Sequence, residues 1–151
     1  MPSSFPFRAL YNDDLTHLHT CDSPYHRIGQ DLTEAMIEAD VDEVARAGFD
    51  AHLMQPGQGW VPLWRSRSYP FGEHAAWHRR RYGGAGTAFD RFMLEGGDCV
   101  EVFVRRCRRR HIAPFVSLRM NDCHGKEYAD FSRHDIERHN VQFPTVLCIS
   151  R

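Results

Sequence analysis

Lysine is nearly missing from this sequence: Lys126 is the only one, against eighteen arginines. A GC-rich coding sequence accounts for that bias without any appeal to function. Net charge is nearly missing too. Nineteen basic and twenty acidic side chains leave −1, so the balance favours neither nucleic acid nor an anionic membrane as partner. No apolar run approaches the roughly 18 residues of a membrane span. The start, MPSSFPFRALYNDD, has no basic segment followed by a long apolar one, so no signal peptide is expected. The five cysteines (Cys21, Cys99, Cys107, Cys123, Cys148) are odd in number, scattered, and form no C-x-x-C pair. That pattern argues against a disulfide framework or a zinc ribbon and suits a reducing compartment. A cytoplasmic location is the expectation.

What is present is a globular composition. With 151 residues and 42% apolar side chains, the chain is long enough to bury a core as one domain. A first apolar run at 7–14 ends in a polar cluster. In DLTEAMIEADVDEVARAG, Asp31 followed three residues later by Glu34 reads as a capping box. Ile37, Val41, Val44 and Ala45 keep helical spacing up to Gly48, a helix terminator. A short strand is expected at 49–54, then an irregular stretch over 55–86, rich in proline and glycine. A loop that long either carries function or hides short elements. DCVEVFVRRCRRRHI is a second amphipathic helix and APFVSLRM a third strand. A fourth strand in VQFPTVLCISR is weakly marked, because Pro144 interrupts it. Strands alternating with helices imply an α/β fold with a parallel sheet.

Ligands of parallel α/β folds bind where the strands end, because the loops converge there. Each expected strand turns polar at that end. The first gives Asn12, Asp13 and Asp14; the second Gln55, Gly57 and Gly59; the third Arg119, Asn121, Asp122 and His124. Asn and Asp after a strand serve equally well as turn residues or helix caps. Arg and His are not turn formers, which makes the third cluster the more telling one. Neither G-x-G at 57–59 nor GGAG at 83–86 opens a helix after a strand, so no dinucleotide loop is expected.

All three tryptophans (Trp60, Trp64, Trp77) fall in the 55–86 stretch with Tyr69, Phe71 and Tyr82. Flat rings beside Arg and Gln suit sugar rings, although a loop packed on its own aromatics reads the same way. The ten histidines lack zinc-site spacing, so neither a metal ligand set nor a cofactor is expected. The arginine run 105–110 reads as a solvated helix face, with acidic residues nearby to balance it.

The segments YNDD, LTEAMIEADVDEVARAGFD, QPGQG and GGDCVEVFVRRCRRRHIAPFVSLRMNDCHG together resemble the opening of family-10-type glycosyl-hydrolase-like (β/α)8-barrel proteins. The resemblance covers residues 7–127 and leaves 128–151 unplaced. It implies the first three or four strands of a TIM-type barrel, in one incomplete domain spanning 1–151, and a carbohydrate at the rim. In that reading Arg119, Asn121, His124, Asn12 and Gln55 hold sugar hydroxyls while Trp60 or Trp64 stacks. Asp122 and Asp13 are the candidate catalytic carboxyls for hydrolysis of O-glycosyl bonds, which needs two. A barrel of this kind takes roughly 250 residues. A shortened one leaves a sheet edge for self-association and is expected to be inactive alone. A non-catalytic carbohydrate-binding module, a metal-dependent enzyme using Asp122, His124 and Asp13, and a remnant without activity are the alternatives.

Overall fold

The structure, a computed structural model, describes residues 6–58, 61–83 and 88–118. Arg119, Asn121, Asp122, His124, Trp60 and the weak fourth strand lie outside the described residues. Three strands, β1 (Leu10–Asp13), β2 (Ala51–Met54) and β5 (Ala113–Val116), form a parallel sheet in the order β1-β2-β5. The register is Leu10 to Ala51 and Ala51 to Ala113, so the three strands begin and end together. Between them run α1 (His17–Thr20), α2 (Glu34–Arg46), a small hairpin of β3 (Gly57–Gln58) and β4 (Val61–Pro62), α3 (Phe71–Tyr82), α4 (Ala88–Leu94) and α5 (Cys99–Arg109). The chain is mixed α/β, as the alternation of elements implies.

Alternation along the strands divides the sheet into two faces. Tyr11, Asp13, His52 and Met54 share the face that α2 and α5 cover. His52 and Met54 are fully buried there, and the His52 ring meets Phe103 of α5 edge-on at 4.8 Å. The opposite face carries Leu10, Asn12, Leu53 and Phe115. Leu10 and Phe115 stay 46% and 44% exposed, so this face is not covered as the first is.

Helix α2 forms as its periodicity demands, burying Met36, Ile37, Val41 and Val44. Its cap differs from the expected one. The Thr33 hydroxyl accepts from the Met36 N–H, while Asp31 receives the Arg91 guanidinium at 2.6 Å. Gly48 ends the helix as expected, in the left-handed region at φ +82°, with its N–H donating to the Ala45 carbonyl. On α5, Asp98 caps the Glu101 N–H at 2.8 Å, and Val102, Phe103 and Cys107 are buried. Burial pushes the Cys99 and Cys107 thiols up to about 12, so both pack as apolar groups.

The arginines of α5 and of its C-cap, Arg110, are less free than a solvated face implies. Arg106 and Arg110 each grip Asp42 of α2 with two hydrogen bonds of 2.6–2.7 Å, and Arg105 pairs with Glu34. Hydrogen bonds from Arg106 and Arg110 hold the Asp42 carboxyl well below its ordinary value near 3.8. A carboxyl depressed in the fold stabilises above its unfolded value and loses that contribution as the pH falls below it. Asp42→Asn is therefore expected to cost about 1 kcal/mol at neutral pH. The cost should shrink below pH ~4. Urea melts of both proteins across that range check it, and a cost that stays constant with pH would refute the assignment.

The expected irregular stretch conceals ordered elements, the second of the two alternatives that its length posed. Helix α3 occupies its second half, and Trp77, His78 and Tyr82 pack on one another along it. At the hairpin, a Cβ on Gly57 would stand 2.5 Å from the Val61 carbonyl oxygen. The close approach that glycine permits here is to the chain's own backbone.

Candidate functional site

The polar ends of the strands do not all face the same way. Asn12 is exposed, while Asp13, the next residue, turns into the layer between sheet and helices. Gln55 is buried and spends its side-chain amide on the Gly57 carbonyl at 2.8 Å. Trp64 stands 41% exposed beyond β4. Leu63, beside it, accepts the Cys99 N–H at the start of α5, which places Trp64 near the carboxyl edge of the sheet. Of the expected residues that are described, the structure brings only the Gln55 backbone to Asp13, its N–H donating to the Asp13 carbonyl at 2.8 Å, while the Gln55 side chain turns to Gly57.

It gathers different ones instead. Directly after β1 the chain reverses. Asp13 Oδ1 accepts the Leu15 N–H at 2.8 Å, Asp14 accepts Thr16, and Leu15 takes the left-handed conformation at φ +59°. So the turn role open to Asn-Asp-Asp is real. The reversal carries His17 back over the strand end. Its Nδ1 lies 3.2 Å from Asp13 Oδ1 and its Nε2 lies 3.3 Å from Oδ1 of Asp40, a residue of α2. The Tyr25 hydroxyl donates to the same Asp40 oxygen at 3.4 Å. Beneath, His52 of β2 approaches both carboxylates through Nε2, at 3.8 Å from Asp13 Oδ2 and 3.9 Å from Asp40 Oδ2.

Both aspartate side chains are 5% exposed and His52 is 0% exposed; His17, at 28%, is the more open member. Asp13 Oδ2, Asp40 Oδ2 and both ring nitrogens of His52 have no hydrogen-bond partner among the described residues. Nor do the ring nitrogens of His26, which lies 6.1 Å from His17 ring to ring. Buried polar atoms almost always find partners, so four orphans at one place call for an explanation.

Electrostatics differentiate the members. Burial disfavours the Asp13 carboxylate, yet the His17 and His52 rings outweigh that and hold it well below the ordinary range. Burial and the neighbouring Asp13 charge raise Asp40. Burial opposes charge on His17 as well, but its two carboxylate neighbours prevail and push it up to about 10. An imidazolium thus clasps two carboxylates of unequal strength, and burial with the His17 charge lowers His26 beside it.

Sequence reasoning singled out Asp13 but missed His17, Asp40 and His52. A signal existed for two of them. Asp40 interrupts the apolar stripe of Met36, Ile37, Val41 and Val44, and His52 sits inside the apolar strand FDAHLM. A polar residue in an apolar stripe has to find company in the core. No family model matches the chain, and no curated protein matches it. Among the described residues no helix is long and apolar enough to cross a membrane.

Proposed function

We propose that this chain supplies the first β/α units of a TIM-type barrel whose rim binds carbohydrate, with hydrolysis of O-glycosyl bonds as its inherited chemistry. The supporting observation is the sheet itself: β1, β2 and β5 are parallel neighbours in chain order, with their carboxyl ends on one edge. That is the repeat from which such barrels are built. The face bearing Leu10, Asn12 and Phe115 becomes the barrel interior in this reading, which accounts for its exposed apolar side chains. The resemblance of the YNDD, QPGQG and SLRMNDCHG segments to glycosidase-like barrels supplies the ligand class. Of the described rim residues, Trp64 has the exposed ring a sugar face requires. Asp13 is a positioning group in this reading, since its carboxyl is buried and already engaged. Asp122, Arg119, Asn121 and His124 remain the rim groups proposed to meet the sugar.

The test is calorimetric titration of the 151-residue chain with a panel of β- and α-linked oligosaccharides, alongside a reducing-end assay. Binding is expected, and Trp64→Ala should weaken it roughly fivefold, about 1 kcal/mol, with an unchanged melting temperature. Binding with turnover identifies a hydrolase, and binding without it a carbohydrate-binding unit. No binding to any sugar defeats the reading.

A further inference from the structure

The orphaned atoms of the buried cluster point to a second ligand class, independent of any sugar at the rim. We propose that Asp13, Asp40, His52 and His17 form a binding site for one divalent transition-metal ion of the zinc class. Nε2 of His52 lies 3.8 Å from Oδ2 of Asp13 and 3.9 Å from Oδ2 of Asp40, and none of the three atoms has a hydrogen-bond partner among the described residues. Asp13, Asp40 and His17 each offer one ligand atom within 4.8 Å of the others. Two carboxylates with two imidazoles are a donor set that suits zinc, cobalt or iron and is too nitrogen-rich for calcium or magnesium.

His52 stands near the spacing that an ion needs from each carboxylate. Donors about 2.1 Å from zinc stand roughly 3.0–3.5 Å apart. The His52 nitrogen, at 3.8 and 3.9 Å from the two oxygens, has only a few tenths of an ångström to close. The second observation that lifts this above a mere cluster of charged residues is His52 itself, fully buried and aimed at both carboxylates without a hydrogen bond to either. A hydrogen-bonded ion pair alone would have no use for it.

The four donors come from four elements. Asp13 ends β1, His17 opens α1, Asp40 lies in α2 and His52 in β2. An ion there ties the first strand to the helix that follows it and to the second strand. His17 is the only partly open member, so the ion exchanges from its side. His17 also trades its two carboxylate contacts for a metal bond, with loss of its proton, as metal-bound imidazole requires.

The experiment is a titration of the chelator-stripped 151-residue chain with Co2+, followed by visible absorption, then displacement by Zn2+. One equivalent is expected, with the intense ligand-field bands of a low-symmetry site. Saturating Zn2+ should raise the melting temperature by roughly 5–10 °C. Asp40→Asn and His52→Gln, both close in size to the residues they replace, should each weaken binding at least ~10-fold. His111→Gln, an exposed control far along the chain, should leave it unchanged. Absence of stoichiometric uptake by the wild-type chain overturns the proposal and leaves the orphaned atoms to buried water. Uptake that survives in both folded cluster variants overturns it equally. Should neither variant fold, His17→Gln decides, because His17 is the partly open member of the cluster: uptake undiminished in that variant overturns the proposal.

Discussion

Phe103→Ala is expected to lower the free energy of unfolding by about 3–5 kcal/mol, the cost of emptying a large aromatic site that cannot collapse. Phe103 is 1% exposed and sits where α5 meets the sheet, its ring against the edge of His52. It belongs to the one buried apolar cluster that joins the helices to the sheet, where no solvent can fill the void. The loss would be a large part of the ~5–15 kcal/mol that holds a domain of this kind together. Urea unfolding followed by circular dichroism measures it. Phe115→Ala is the control: that ring is 44% exposed on the other face, touches Phe7 at its edge, and should cost about 1 kcal/mol or less. Equal costs for the two variants would mean that the helix-covered face is not where the core lies.

Asp13→Ala is the second large effect, also at about 3–5 kcal/mol, the scale on which a half-removed buried ion pair is felt. The substitution leaves the Leu15 N–H without its acceptor and takes away one of the two carboxylates that hold charge on His17. Asp40→Asn should behave differently in metal-free protein. The fold depresses the Asp13 carboxyl and raises that of Asp40, so ionised Asp13 is favoured by folding and ionised Asp40 is not. Neutralising Asp40 is therefore expected to cost under about 1 kcal/mol or to stabilise slightly. Thermal melts in the presence of a chelator make the comparison. A larger loss for Asp40→Asn than for Asp13→Ala would invert the charge assignment.

The sequence made α2 and α5 legible because their apolar residues recur at helical spacing over three turns or more. Short apolar runs that turn polar at their ends located β1, β2 and β5, and their alternation with helices implied that they are parallel. Sequence reasoning misplaced the start of α2, because Asp31 is taken by Arg91, a residue far along the chain, and Thr33 does the capping. Helices α3 and α4 stayed hidden for a plainer reason. Helix α3 buries only Phe71 and His74, so it has almost no apolar stripe to read. At the site, Asp13 stood out as a polar strand end, but its partners are set by packing. Nothing in the spacing of His17, Asp40 and His52 reveals that a short helix, a long helix and a strand bring them to one point. A tight reversal at Leu15, which a leucine does not advertise, is what turns His17 inward.

The cluster also has a place in time. All four of its members fall between residues 13 and 52, inside the first strand–helix–strand segment. Ordering short loops before long ones is the cheaper sequence of closures. The carboxylates and imidazoles are thus expected to meet before α5 docks with Phe103, which leaves the partly open side at His17 as the way in once that helix is in place.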